Sequence, residues 1–257
     1  MFKKVIILLK EGLQLDAKMP EKIKEYINCG ELSLISFNNL QKEDLIGIDL
    51  VISIGGDGTF VKAAHLMEEG LILGINSNYK TSEGALTSIN LDEIDKLKNL
   101  DKGKMEITEK QRADVILNGK ILDEKVINEI YIGAASQFHS SRYILNFKGA
   151  KEEQRSSGVI VSTGTGSDSW FLAAGGKPFH YSEKKLRFIV REPYFGKRVF
   201  KPTILAGELS EKEKIVVEST RNFGGIIAIN DSTYDFNTGD IVEVKISDSP
   251  LKVIKLK

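Results

Sequence analysis

Val5–Leu9 is an unbroken apolar run, the pattern of a parallel strand buried on both faces. Glu21–Tyr26 reads as a helix and Leu32–Phe37 as a second strand. Asp49–Ile54 is another apolar run, and it stops at Gly55-Gly56. From Thr59 the residues Phe60, Ala63, Ala64 and Met67 fall at helical spacing until Gly70, and Leu71–Ile75 is a further short strand. This alternation of strand and helix predicts a parallel sheet with crossover helices.

The texture changes near Met105. Val115–Leu117 and Ile121–Leu122 flank the hairpin dipeptide Asn118-Gly119. Strand-like stretches follow at Glu129–Ile132, Tyr143–Phe147, Val159–Ser162, Leu186–Val190, Thr203–Ala206, Ile215–Ser219 and Gly225–Ile229, almost without helical patterns. The expected organisation is an α/β N-terminal domain with a parallel sheet over 1–104, plus a β-rich C-terminal domain over 105–235. The strands Ile241–Ile246 and Leu251–Leu256 of the 236–257 tail are candidates to pack back on the first domain.

Composition narrows the class. The chain has 257 residues, 41% hydrophobic and 28% charged, and 36 Lys+Arg balance 36 Asp+Glu. The basic excess of nucleic-acid or anionic-membrane binders is absent, so neither partner is expected. The single cysteine, Cys29, forms no internal disulfide, which suits a reducing, cytoplasmic setting. No apolar run approaches the roughly 20 residues of a spanning helix. Lys3-Lys4 before Val5–Leu9 mimics a signal peptide, but the apolar stretch closes at Lys10-Glu11 with no small-residue cleavage site. It reads as a buried first strand, in a cytosolic chain or a mature form whose targeting segment is absent.

The sharpest chemistry lies in Val51–Thr59, where an apolar strand ends in Gly55-Gly56-Asp57-Gly58-Thr59 and opens a helix. Glycines let backbone approach a ligand closely, and a helix N-terminus offers unpaired N–H groups to phosphate. A carboxylate in such a cradle repels phosphate unless it has a task, either as general base toward an attacking hydroxyl or as ligand to Mg²⁺. A plain turn with Asp57 as helix N-cap fits the same residues. A second strand, Gly158–Ser162, leads into Thr163-Gly164-Thr165-Gly166-Ser167 and a short helix over Asp168–Ala174. Hydroxyls between glycines suit ribose, phosphate or amide groups.

Other features add less. Asn128-Glu129 at a strand start suits two sugar hydroxyls, or a loop-edge amide and a solvated acid. His65, His139, His180 and Cys29 lack metal-ligand spacing, and no metal-ligating set is expected. There is no Gly-x-Ser-x-Gly elbow and no Walker A lysine loop. Trp170 suits packing or stacking on a base.

Taken in order, Gly55–Thr59, Gly74-Ile-Asn76, Asn128-Glu129 and Gly158–Gly176 resemble the NAD kinase family, with matching spacing over roughly residues 50–180. The first motif alone is shared with lipid kinases and phosphofructokinases of the same superfamily. The resemblance implies a two-domain fold, transfer of a phosphoryl group from ATP to NAD giving NADP, dependence on Mg²⁺, and a homodimer or homotetramer. Carried over by position, Asp57 is the base that takes the proton of the adenosine 2′-hydroxyl. Gly55, Gly56, Gly58 and Thr59 shape the phosphate cradle, with Lys80 as a candidate to neutralise phosphate charge. Asn128, Glu129, Ser157, Thr163, Thr165, Gly166, Ser167, Asp168, Ser169 and Trp170 are the implied NAD contacts.

The chain departs from the common bacterial pattern at several positions. Ser77–Gly84 replaces a Gly-His/Tyr-x-Gly-Phe loop, and Ser156-Ser157-Gly158 replaces Gly-Asp-Gly. Asp168 stands where threonine is usual, Trp170 where tyrosine is usual, and Ala173 where serine is usual. These segments resemble the divergent branch that includes animal mitochondrial NAD kinases. Ser157 lacks the usual carboxylate, and Asp168 is a candidate to take over part of its contact. Two alternatives share these motifs: a lipid or sphingoid kinase, and a non-catalytic NAD(P)-binding regulator. No basic amphipathic helix for a membrane surface accompanies them.

Overall fold

A computed structural model describes residues 2–136 and 138–256. The chain forms two compact units, Met1–Lys110 with Ser249–Lys257, and Gln111–Asp248.

The first unit runs β1 (Lys4–Leu9), α1 (Met19–Ile27), β2 (Glu31–Ser36), β3 (Leu50–Gly55), α2 (Asp57–Leu66), β4 (Leu71–Asn76) and β5 (Ile89–Asn90). A 3-10 segment (Leu91–Leu97), α3 (Lys98–Asp101) and β6 (Met105–Lys110) follow. Its sheet has the order β2-β1-β3-β4, then the C-terminal strand Leu251–Leu256, then β6, with β5 on β4. Pairing is parallel from β2 to the C-terminal strand and antiparallel only at β6. Ile23 and Ile27 of α1 pack with Val5, Ile7, Ile52, Ile54, Leu73 and Ile75. Every residue of β3 is buried, which is why its sequence is continuously apolar rather than alternating.

The second unit runs β7 (Ala113–Leu117), β8 (Lys120–Ile121), β9 (Glu129–Ala134), β10 (Ser141–Phe147), β11 (Ala150–Ser156), β12 (Gly158–Ser162), α4 (Trp170–Ala173), β13 (Leu186–Arg191), β14 (Ala206–Leu209), β15 (Lys214–Ser219), β16 (Gly225–Ile229), β17 (Ser232–Asp235) and β18 (Ile241–Ile246). Two six-stranded antiparallel sheets result, β11-β10-β15-β18-β7-β8 and β14-β13-β12-β9-β16-β17. They share one core, with Val115, Leu145, Val217 and Val244 from the first and Ile130, Ile132, Val161 and Phe188 from the second. The turn between β7 and β8 is Asn118-Gly119, with φ of 51° and 80°, the mirror-image geometry that suits strand twist. On the other face of the second sheet, Phe171 of α4 packs with Tyr131 and Ile160.

Several boundaries differ from the sequence pattern. The first unit extends to Lys110, not 104, because β6 pairs with the C-terminal strand. The second continues to Asp248, not 235, because β18 pairs with β15 and β7. Of the tail, the stretch from Ser249 onward, which carries the strand β19 (Leu251–Leu256), lies in the first unit. The strand expected over Thr203–Ala206 begins at Ala206. The amides of Thr203 and Ile204 donate instead to the Glu152 carboxylate, at 2.8 and 3.0 Å, and Pro202 has none to give. Helix α2 begins at Asp57, two residues before the first expected position, and ends at Leu66. Among the described residues, no helix is long and apolar enough to cross a membrane.

Candidate functional site

In the first unit, β3 delivers the glycine turn and α2 leaves it. Gly55 is buried against Thr59, where a side chain would strike the Thr59 hydroxyl. The amides of Thr59 and Phe60 turn back to the Gly56 carbonyl at 3.1 and 3.3 Å. Thr59 is buried, and Gly58 is exposed at the helix start.

Asp57 is half-buried, and it is not the helix cap. Gly56 occupies the cap position with no side-chain cap bond. The Asp57 carboxylate reaches across to the segment after β4, accepting from the amide of Ala85 at 3.1 Å and of Leu86 at 2.8 Å. A cap would turn inward to its own helix; this carboxylate is spent on another loop.

Lys80 is exposed, its amide on the Asn78 side chain at 3.1 Å. Lys10 was not singled out by any motif. It follows β1 directly, its amide donates to the Ile54 carbonyl at 2.9 Å, and its Cβ lies 3.1 Å from where a Gly55 Cβ would stand. Only the parallel register of β1 and β3 makes it a neighbour of the turn, a relationship that spacing in sequence does not carry.

In the second unit, register assembles the other cluster. Glu129 opens β9 opposite Ser162, the last residue of β12, so the hydroxyl-rich loop starts beside Asn128 and Glu129. The Thr163 amide donates to the Asn128 carbonyl at 3.0 Å, and the Thr163 hydroxyl donates to the Ile127 carbonyl. The Ser167 hydroxyl meets the Gly164 carbonyl at 2.8 Å and accepts the Phe179 amide at 3.0 Å. Thr163 and Ser167 are fully buried, so their side chains hold the loop in shape. Gly166 is equally constrained, because a Cβ there would lie 2.5 Å from Glu129 Oε2 and 2.6 Å from the Asn128 carbonyl carbon.

Groups that remain for a ligand are the Asn128 side chain, Glu129, Thr165, Asp168, Ser169 and Trp170. Burial pushes the Glu129 carboxyl up to about 6, opposed by the Ser169 hydroxyl bond and reinforced by the charge of Asp168. The Thr165 hydroxyl is buried, and among the described residues nothing partners it. Asp168 and Ser169 are exposed. Trp170 is 38% exposed, tilted over Tyr131 with ring centres 5.3 Å apart, and the Arg191 guanidinium stands 5.1 Å from its ring.

Ser157 stands at the other end of β12 from Thr163 and meets this cluster through Tyr131, whose hydroxyl donates to the Ser157 carbonyl at 2.6 Å while its ring packs against Trp170. Ser157 precedes β12, whereas Thr163 follows it, and the five residues of Gly158–Ser162 separate them by about 17 Å of strand. Asp168 adds its charge to the surroundings of Glu129. The carboxylate that Ser157 meets is Glu192, which accepts its hydroxyl. Glu192 was invisible in the sequence, since it becomes a neighbour only through the pairing of Gly158 with Arg191. Among the described residues, no group of three or more His, Cys, Asp or Glu converges to hold a metal.

No protein-family model matches the chain. It is 32% identical over 209 residues to an NAD kinase of Thermococcus gammatolerans, covering 80% of this chain and 72% of that protein. It is 29% identical over 266 residues to an Oryza sativa subsp. japonica protein named Probable NADH kinase, covering 90% and 81%. Among solved structures, the NAD kinase of Archaeoglobus fulgidus in complex with ATP superposes with a TM-score of 0.72 at 23% identity, over 98% of this chain and 93% of that one. The yeast NADH kinase complexed with NADH gives 0.79 at 14% identity, over 100% and 84%.

Proposed function

The chain belongs to the NAD kinase family, and from that premise we propose that it transfers the γ-phosphoryl group of ATP to the 2′-hydroxyl of the adenosine ribose of NAD, giving NADP and ADP. The observation that carries this reading is Asp57, a half-buried carboxylate at the first residue of α2, directly after the glycine turn. Its two amide contacts take one lone pair on each oxygen, and the pairs left over, beside a helix start suited to phosphate, can accept a hydroxyl proton. The names of the relatives favour a nicotinamide dinucleotide over a lipid or sphingoid acceptor, and a kinase over a non-catalytic regulator.

In this assignment the 2′-oxygen attacks the γ-phosphorus, the bond from that phosphorus to the β–γ bridging oxygen breaks, and ADP departs. Asp57 receives the hydroxyl proton, a contribution of about 10²–10⁴-fold. Gly55, Gly56, Gly58 and Thr59 offer backbone to the donor phosphates. Glu129, Asn128, Thr165 and Asp168 hold the acceptor's sugar hydroxyls and amide groups, with Trp170 against a ring.

The residues present fit a Mg²⁺ that arrives on the donor, since such sites use one or two carboxylates plus substrate phosphates rather than a protein cage. Asp57 is the carboxylate at hand that would hold it, and the cation would supply charge neutralisation on the donor phosphates. A cytoplasmic setting and a homodimer or homotetramer complete the proposal; light scattering on the purified protein tests the latter.

The deciding experiment incubates the protein with NAD, ATP and Mg²⁺ and assays NADP with an NADP-specific dehydrogenase, with NADH as a parallel acceptor. NADP formation that Asp57→Asn lowers by about 10²–10⁴-fold while NAD still binds by calorimetry supports the assignment. Undiminished turnover in Asp57→Asn removes Asp57 as the base. Absence of product with NAD bound turns the reading to a regulator.

A further inference from the structure

We propose that the turn Gly84–Thr87 is a clamp that orients the Asp57 carboxylate, with Asn76 and Gly84 as positioning residues. The inference rests on the reading of Asp57 as the base.

The Thr87 amide and hydroxyl both donate to the Gly84 carbonyl, at 3.1 and 2.8 Å. This closes a four-residue turn whose central residues are Ala85 and Leu86. In such a turn the two central amides have no partner within it. Here they donate one to each Asp57 oxygen. A carboxylate has about four lone-pair sites. Two are taken by rigid backbone, which stops the group from rotating and leaves each oxygen one site for a hydroxyl proton.

The turn is itself held. Asn76 ends β4 buried, donates from Nδ2 to the Ser82 carbonyl at 3.2 Å, and accepts the Asn78 amide at 3.1 Å. Gly84 has φ of +64°, and a Cβ there would lie 2.5 Å from Asn76 Nδ2. Position 84 therefore tolerates only glycine, for both its backbone and its space. At the far end the Ser88 amide donates to the Gly74 carbonyl at 2.7 Å, and the Ser88 hydroxyl accepts the Leu256 amide at 2.8 Å. Sheet, asparagine and turn thus form a continuous support for one carboxylate.

The test is steady-state kinetics of Gly84→Ala, Asn76→Ala and Thr87→Val in the NADP assay, each alone and with Asp57→Asn. Misplacement of a reacting group by about 1 Å costs up to about 100-fold. The expected result is a kcat lowered roughly 10- to 100-fold by Gly84→Ala, with KM for NAD and ATP held within about twofold. In the Asp57→Asn background the same substitution changes the residual rate by less than about twofold, because there is no base left to orient. An equal loss in both backgrounds overturns the clamp, as does a lowered melting temperature with wild-type kcat in the folded protein. Should Gly84→Ala not fold, Thr87→Val removes one hydroxyl, keeps the backbone, and carries the same cycle. Wild-type turnover in Asp57→Asn removes the base reading itself. An inactive Asp57→Asn beside a fully active Gly84→Ala removes only the clamp.

Discussion

The hydroxyl of Ser169 donates toward both carboxylate oxygens of Glu129, at 3.3 and 3.4 Å. Among the described residues it is the side chain that stabilises the ionised form of a group whose burial favours protonation up to about 6. An ionised Glu129 accepts from a ribose hydroxyl; a protonated one loses that strength. KM for NAD is therefore expected to rise as pH falls through about 6, and Glu129→Gln to flatten the profile while raising KM about tenfold at pH 7.5. Stability runs the other way. The raised carboxyl contributes stability below its ordinary range near 4.5, and that contribution is lost as pH rises through about 6. Wild type should then lose about 1 kcal/mol relative to Glu129→Gln between pH 4 and 7. Paired denaturant titrations check the sign.

Gly166→Ala places a methyl group 2.5 Å from Glu129 Oε2 and 2.6 Å from Asn128 backbone. Backbone cannot rotate away, so the loop must shift, at about 1–3 kcal/mol. Thermal melting and NAD titration should both register it. A variant with wild-type affinity for NAD separates this loop from the acceptor.

Thr165→Val replaces a buried hydroxyl that has no partner among the described residues by a methyl of similar size. Without ligand, the change should be neutral or stabilising, since no protein hydrogen bond is lost. If the hydroxyl is reserved for NAD, KM for NAD rises about fivefold to tenfold, and KM for ATP does not. Equal stability with equal KM refutes the reservation.

Lys10→Ala removes a lysine whose Cβ stands beside the glycine turn. The expected effect is a KM for ATP raised about tenfold at low ionic strength and less at high salt, with KM for NAD unchanged. Lys80→Ala, on the exposed part of its loop, should have the smaller effect. The reverse order assigns the phosphate charge to Lys80.

The β3–α2 unit was legible because a strand buried at every residue writes itself as an apolar run and its glycines sit at one end. The start of α2 was not, since Asp57 and Gly58 carry no apolar periodicity. β11 escaped for a different reason. Its sequence AKEEQRS is charged because it lies at the edge of its sheet, and only Gln154 and Ser156 are buried. β6 (MEITEK) was hidden in the same way, pairing on one side with β19, and its omission moved the expected boundary. The site divided along similar lines. Residues in local motifs could be named, whereas Lys10, Glu192 and the amides of Ala85 and Leu86 become neighbours only through register and turn geometry.

The position of β19 has a consequence for biosynthesis. Its residues fill the gap between β4 and β6, so the edges of those two strands stay open while the whole of Gln111–Asp248 is being translated. That intervening stretch owns all its strands and can close on the ribosome first. The unit that carries the glycine turn, although that turn emerges early, must wait for Leu251–Leu256. A stalled or truncated message lacking that hexapeptide would then yield a chain with a folded β-sandwich and two unsatisfied strand edges, a substrate for chaperones and proteases.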